Sequence, residues 1–133
     1  MKNDWIYDIE TYANAFTIAL EHAQSGVRCA WEVSEWVNES SQIIRMMDYL
    51  KATSGRMVGF NNLGFDYPVL HLLYRMRTAD AATLYAKAQA IIASQELNRF
   101  QHQVYPSDRV VEQIDLFKIH HFDNMARSTS LKL

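Results

Sequence analysis

The residues whose types and spacing could do chemistry are the acids. Asp8-Ile9-Glu10 ends a stretch of β-forming residues, Trp5, Ile6, Tyr7 and Ile9. Residues two apart on a strand point to the same side, so Asp8 and Glu10 aim two carboxylates at one spot. Two anions held that close repel each other, and a hard divalent cation is the usual compensation. Taken alone, the short pattern is better explained by a strand end with two solvated acids. The second feature is Gly59-Phe60-Asn61-Asn62-Leu63-Gly64-Phe65-Asp66-Tyr67-Pro68-Val69-Leu70. It reads as a short buried strand, a loop, and a helix that starts near Asp66 with Pro68 in its first turn. The helix dipole favours an acid there, so a helix-start acid with Phe65 in the core explains the segment equally well. Together the two features point to carboxylates from the ends of two strands converging on a metal. Mg²⁺ and Mn²⁺ are the ions that suit oxygen ligands.

The elements that must position these acids follow from the pattern of the chain. Residues 4–10, 15–22 and 27–33 read as strands, separated by turn candidates at Tyr12-Ala13-Asn14 and Gln24-Ser25-Gly26. Ser40 or Ser41 is the candidate cap of a helix running to about residue 52, with Ile43, Ile44, Met47 and Leu50 on one face. Ser54-Gly55 ends it. Residues 57–60 read as a buried strand, 61–64 as loop and 66–76 as a helix. The Ala- and Gln-rich stretch 79–100 is one long helix or a broken pair. Residues 105–109 read as loop, 110–117 as a strand with its first residues in loop, and Ser128 or Ser130 as the cap of a last helix. Early antiparallel strands followed by alternating helix and strand predict an α/β fold, a mixed sheet flanked by helices. Sites in such sheets collect at strand ends.

Composition narrows the function classes. The chain has 133 residues and 49% hydrophobic content, which suits a single globular domain over 1–133. A net charge of −2 argues against a protein that wraps long duplex DNA through a basic face. It leaves room for an enzyme that grips a short single-stranded end. Cys29 is the one cysteine, so neither an internal disulfide nor a cysteine zinc site can form. The N-terminus carries no signal-peptide pattern, and no apolar run approaches the ~18 residues of a membrane span. A cytoplasmic protein is the expectation.

At the acid motifs the chain resembles the exonuclease domain of family B DNA polymerases, above all those of phage type, within the DnaQ-like, ribonuclease H-like superfamily. Asp8-Ile9-Glu10-Thr11 is similar to that family's first motif, Asp-x-Glu-Thr. Asn61 through Asp66 is similar to the second, Asn-x-x-x-Phe-Asp, and Tyr67-Pro68-Val69-Leu70 continues as the family does. Ile114-Asp115-Leu116-Phe117 resembles the strand that follows, and Ser130-Leu131-Lys132-Leu133 the opening of the next helix. The resemblance spans nearly the whole chain in order. The family's third motif, Tyr-x-x-x-Asp or its His variant, has no counterpart before Leu133, so the domain is expected to be incomplete at its C-terminus. His120 and His121 follow the Asp115 strand and stand in the wrong place for that motif.

The resemblance implies a ribonuclease H-like fold and two-metal hydrolysis of phosphodiesters at single-stranded DNA 3′ ends. It implies that Asp8 bridges two Mg²⁺ or Mn²⁺ ions, that Glu10 holds the nucleophile-side ion, and that Asp66 holds the other, directly or through water. Asn61 and Phe65 would contact the terminal nucleotides, Phe65 by stacking, and Thr11 the terminal sugar through its backbone. Asp115 is a weaker candidate: an acid that supports the metal ligands from behind, or a structural residue at a strand start. Trp31, Trp36 and the Met46-Met47 pair read as packing. Arg75, Arg77 and Lys87 read as a solvated face that could make a few phosphate contacts. The partners implied are a DNA end and the polymerase part of a parent protein, with association through an exposed edge as an alternative contact. The same motifs fit an RNA-trimming relative. The missing third motif motivates a different class, a non-catalytic nucleic-acid-binding or interaction module. The chain as given is expected to trim weakly or not at all, yet to bind Mn²⁺ near Asp8.

Overall fold

A computed structural model describes residues 3–98 and 100–117. Three strands open the chain: β1 (Asp4–Tyr12), β2 (Ala15–His22) and β3 (Arg28–Ser34). They form an antiparallel meander, with Ile9 opposite Ile18 and Ile18 opposite Trp31. Gly26, at φ +76°, makes the β2–β3 turn, where a side chain would be strained. Helix α1 (Ser40–Ala52) then leads to β4 (Arg56–Gly59). Next come a π-type turn over Asn62–Asp66, α2 (Tyr67–Met76), α3 (Ala81–Asn98), a short 3₁₀ turn over Pro106–Asp108, and β5 (Glu112–Asp115).

The sheet is mixed, in the order β3-β2-β1-β4-β5, with β4 parallel to both β1 and β5. Strand alternation divides it into two faces. Tyr7, Ile9, Phe16, Ile18, Leu20, Val33 and Met57 point to one side and are buried. Against them pack Ile43, Met47 and Leu50 of α1, Val69, Leu70 and Leu73 of α2, and Leu84, Ala88 and Ile91 of α3, in a single core. The other side carries Ile6, Asp8, Glu10, Ala19 and Ala30, all exposed. The α/β fold is therefore as expected, but among the described residues the helices cover one face rather than flanking the sheet.

Several local expectations are corrected. Neither Ser40 nor Ser41 caps α1 with its side chain. Asn38, two residues upstream, accepts both the N–H of Ser40 (3.0 Å) and its hydroxyl (2.6 Å). The stretch expected as loop over 61–64 and helix from 66 winds instead through the π-type turn before α2 begins at Tyr67. The 79–100 stretch resolves as one helix, and Asp80 caps it by accepting the N–H of Thr83 at 2.7 Å. The last strand starts at Glu112 with Val110 and Val111 in loop, as expected, Tyr67 Oη taking the Val110 N–H at 2.7 Å, but it ends at Asp115 rather than at 117. Trp31 is half-buried, whereas Trp36 is 75% exposed and packs into no core. His120, His121, Ser128 and the segment from Ser130 to Leu133 lie outside the described residues.

Candidate active site at the end of strand β1

The site lies where β1 outruns its parallel neighbour. β4 pairs with β1 only from Asp4 to Ile6, so the next N–H groups on that edge have no strand opposite them. Asp66 fills the gap. Its Oδ2 accepts the Ile9 N–H at 3.2 Å, tying the start of α2 to the end of β1. The crevice at the carboxyl end of parallel strands is the position where α/β sheets bind ligands.

Asp66 is 7% exposed. Burial raises its carboxyl from 3.8 to about 7, with the charge and hydrogen-bonding proximity of Asp8 adding to the rise. The Ile9 N–H works the other way and favours the charged form. Asp8 and Asp66 are thus neighbouring carboxyls, one solvated and one withdrawn from water. Glu10 shares the open face with Asp8, and its Oε2 accepts the Tyr12 hydroxyl at 3.1 Å. Thr11 falls on the opposite parity of β1, half-buried, paired with Phe16.

The loop that delivers Asp66 is held tightly. Asn61 adopts a left-handed conformation at φ 58°, which Asn tolerates better than most residues. A Cβ on Gly64 would lie 2.7 Å from Asn61 Oδ1, so glycine leaves room for that side chain. Phe65 is partly buried against the core, and its N–H donates to Asn61 O at 3.0 Å. Asp115 stands at the end of β5, not its start, and is 5% exposed. It accepts three N–H groups: Asn61 (2.7 Å), Leu63 (3.1 Å) and Phe117 (3.0 Å). The acid read as a weaker candidate is therefore a clamp on the Asp66 loop.

A buried polar network supports the same corner and was not anticipated. Tyr7 Oη donates to Gln113 Oε1 at 2.7 Å, and Asn62 Nδ2 donates to the same oxygen at 2.9 Å. Gln113 Nε2 donates to Val111 O at 3.1 Å. Burial drives the Tyr7 hydroxyl well above its ordinary range, with Asp66, Tyr67 and Asp115 adding to the rise and Asn62 opposing it. Asn62 is fully buried, and its Oδ1 has no protein partner among the described residues. The available signal was a glutamine at an inward position of a strand.

On the open face, a groove of about 840 Å³ runs past Asp8 between Ile6, Ala19, Ala30, Phe60 and Leu116. Among the described residues no three His, Cys, Asp or Glu side chains gather closely enough to hold a metal by themselves. Asp8 and Asp66 do fit a Mg²⁺-type ion, which commonly uses one or two carboxylates and takes its remaining oxygens from water and phosphate. No family model, curated protein or solved structure matches the chain.

Proposed function

We propose that this chain is a metal-dependent 3′→5′ exonuclease domain, of ribonuclease H-like architecture, that acts on single-stranded DNA ends. The observation that carries the reading is the Asp8–Asp66 pair: a desolvated carboxyl beside a second carboxyl at the carboxyl end of β1. Such a pair is unfavourable by itself and becomes favourable around a cation. The strand order and the resemblance of both acid motifs agree with it.

Mg²⁺ or Mn²⁺ held by Asp8 and Asp66, with Glu10 beside them, would polarise the scissile phosphate and a water. The chain's own residues do the rest. To hold such an ion Asp66 would have to be ionised, the form its burial disfavours. Asp115 and the Ile9 N–H keep its carboxylate aimed at β1. The groove beside Asp8 offers Ile6, Phe60 and Leu116 as apolar surface for the terminal nucleotides. Thr11 and Phe65, half-buried on the core side, contribute through backbone and packing.

The test is an end-labelled single-stranded oligonucleotide with Mn²⁺. Trimming from the 3′ end is expected to be weak, and to fall on the order of 10²-fold or more in Asp8→Ala, since the ion supplies several kcal/mol. Trimming that Asp8→Ala leaves intact overturns the assignment. A second reading, a non-catalytic nucleic-acid-binding module, is favoured by the absence of a third metal-ligating side chain among the described residues. Mn²⁺ binding that depends on Asp8, without trimming, would decide for it.

A further inference from the structure

We propose that His71, Arg75, Lys87, His102 and Arg109 form a phosphate-binding cradle for the backbone of the strand whose end Asp8 and Asp66 would process. The inference rests on the nucleic-acid reading above but involves none of its acids. Three elements supply the cradle: α2 gives His71 and Arg75, α3 gives Lys87, and the segment before β5 gives His102 and Arg109.

Hydrogen bonds fix the histidines. Lys87 Nζ lies 3.0 Å from His102 Nδ1, and an ammonium can only donate, so Nδ1 accepts and the proton sits on Nε2. Tyr67 Oη receives the Val110 N–H at 2.7 Å, leaving its own proton for His71 Nδ1 at 3.1 Å. His71 therefore also carries its proton on Nε2. Each ring is left with an N–H donor that no other contact uses among the described residues.

Charge in this corner is unbalanced. His71 feels the cations Arg75 and Lys87 and the carboxylate Asp108, and its partner Tyr67 feels Arg109, whose Nε donates to Val104 O at 3.3 Å, in a chain of net charge −2. Among the described residues the ion pairs are Arg28–Glu21 and Arg56–Asp4, so none of the three cations has a carboxylate in contact. Lys87 is half-buried with a neutral imidazole as its hydrogen-bond partner, and burial lowers its affinity for the proton. His71 is lowered by burial, then by Arg75, with Asp108 opposing and Lys87 adding. His102 is lowered by burial and by Lys87. A phosphate would offset the clustered cations and accept from both free N–H groups. His71 lies one turn into α2, which begins at Tyr67 directly after Asp66.

The test is fluorescence anisotropy of a labelled single-stranded oligonucleotide in EDTA, over a salt series. Lys87→Met keeps the apolar stem, and Lys87→Arg keeps the charge. Removing one phosphate contact should weaken binding roughly 5- to 10-fold at low salt and flatten the log–log salt slope by about 0.7. Lys87→Arg should restore the affinity, with thermal melting showing that both variants fold. In parallel, inorganic phosphate should move the His71 and His102 ring resonances, and the bound oligonucleotide should raise the pH at which both rings titrate. Unchanged affinity and slope in Lys87→Met overturn the proposal. Ring shifts with inorganic phosphate but oligonucleotide binding indifferent to Lys87 also overturn it, in favour of a free-phosphate site. Because EDTA removes metal, loss of trimming in Asp8→Ala and loss of binding in Lys87→Met report on separate claims.

Discussion

Replacing Asp66 by asparagine should stabilise the protein at alkaline pH and not at acid pH. The carboxyl is raised from 3.8 to about 7, by burial first and by Asp8 in addition. Each tenfold change in proton affinity is about 1.4 kcal/mol, so an Asp66 ionised in both states opposes folding by roughly 4 kcal/mol. The sign follows from proton counting. Between about pH 4 and 7 the folded chain holds this proton and the unfolded chain does not. The group's contribution is whole below the unfolded value and is lost as pH rises through the folded one. The substituted amide stays neutral throughout, and its oxygen can still accept the Ile9 N–H, now at 3.2 Å. Its NH₂ group needs an acceptor of its own, a penalty of about 1 kcal/mol. Urea unfolding should therefore find Asp66→Asn about 1 kcal/mol less stable near pH 4 and roughly 2–3 kcal/mol more stable near pH 8. The difference between parent and variant cancels every other titrating group. A difference of the same sign and size at both pH values would refute the burial argument. So would a carboxyl resonance of Asp66 that titrates near 4 in the folded protein.

Asp115→Ala deletes the acceptor of three N–H groups in a buried position, and should lower unfolding free energy by roughly 3 kcal/mol or more, read by urea denaturation. Gly59→Ala places a Cβ 3.0 Å from two carbons of the fully buried Asn62, and should destabilise by about 1–3 kcal/mol in the same assay. Tyr7→Phe removes the 2.7 Å bond to Gln113 and should cost about 1–2 kcal/mol without altering the far-UV circular dichroism. Mn²⁺ should raise the melting temperature of the parent, and EDTA should reverse it, whereas Asp8→Ala should respond to neither.

Much of this was legible because it is local. Alternating apolar residues marked β1, β2 and β3 to within a residue or two, and the stripe Ile43, Ile44, Met47, Leu50 marked the buried face of α1. The parity of β1 placed Asp8 and Glu10 on one side, as observed. The hidden parts depend on contacts between segments distant in sequence. Asp115 was read as a strand-start residue because nothing near it announces that its oxygens reach back to Asn61 and Leu63. The first residues of 110–117 were legible as loop, but the tyrosine more than forty positions upstream that takes the Val110 N–H was not. Asp66 was legible as an acid at a helix start, but its burial comes from meeting β1 where β4 stops, a consequence of register.

The way Asp66 is held bears on what the site is for. An acid that opposes folding by roughly 4 kcal/mol when ionised would relax toward solvent if its backbone could move. It cannot, because both ends of its turn are fixed independently of the carboxyl. Asp115 holds Asn61 and Leu63 upstream, while downstream Tyr67 is fully buried and bonded through Oη to Val110 and His71. Tyr7, Gln113 and Asn62 join the same corner from beneath. Most of the favourable contacts thus belong to the neighbours, while Asp66 sets one N–H donor, from Ile9, against its burial and the charge of Asp8. Structural acids show the reverse arrangement, as Asp115 does with its three N–H donors. Two buried acids serve one loop, Asp115 fully satisfied and Asp66 held against its preference beside a second carboxyl. That division is what the cation site proposed above would require of its scaffold.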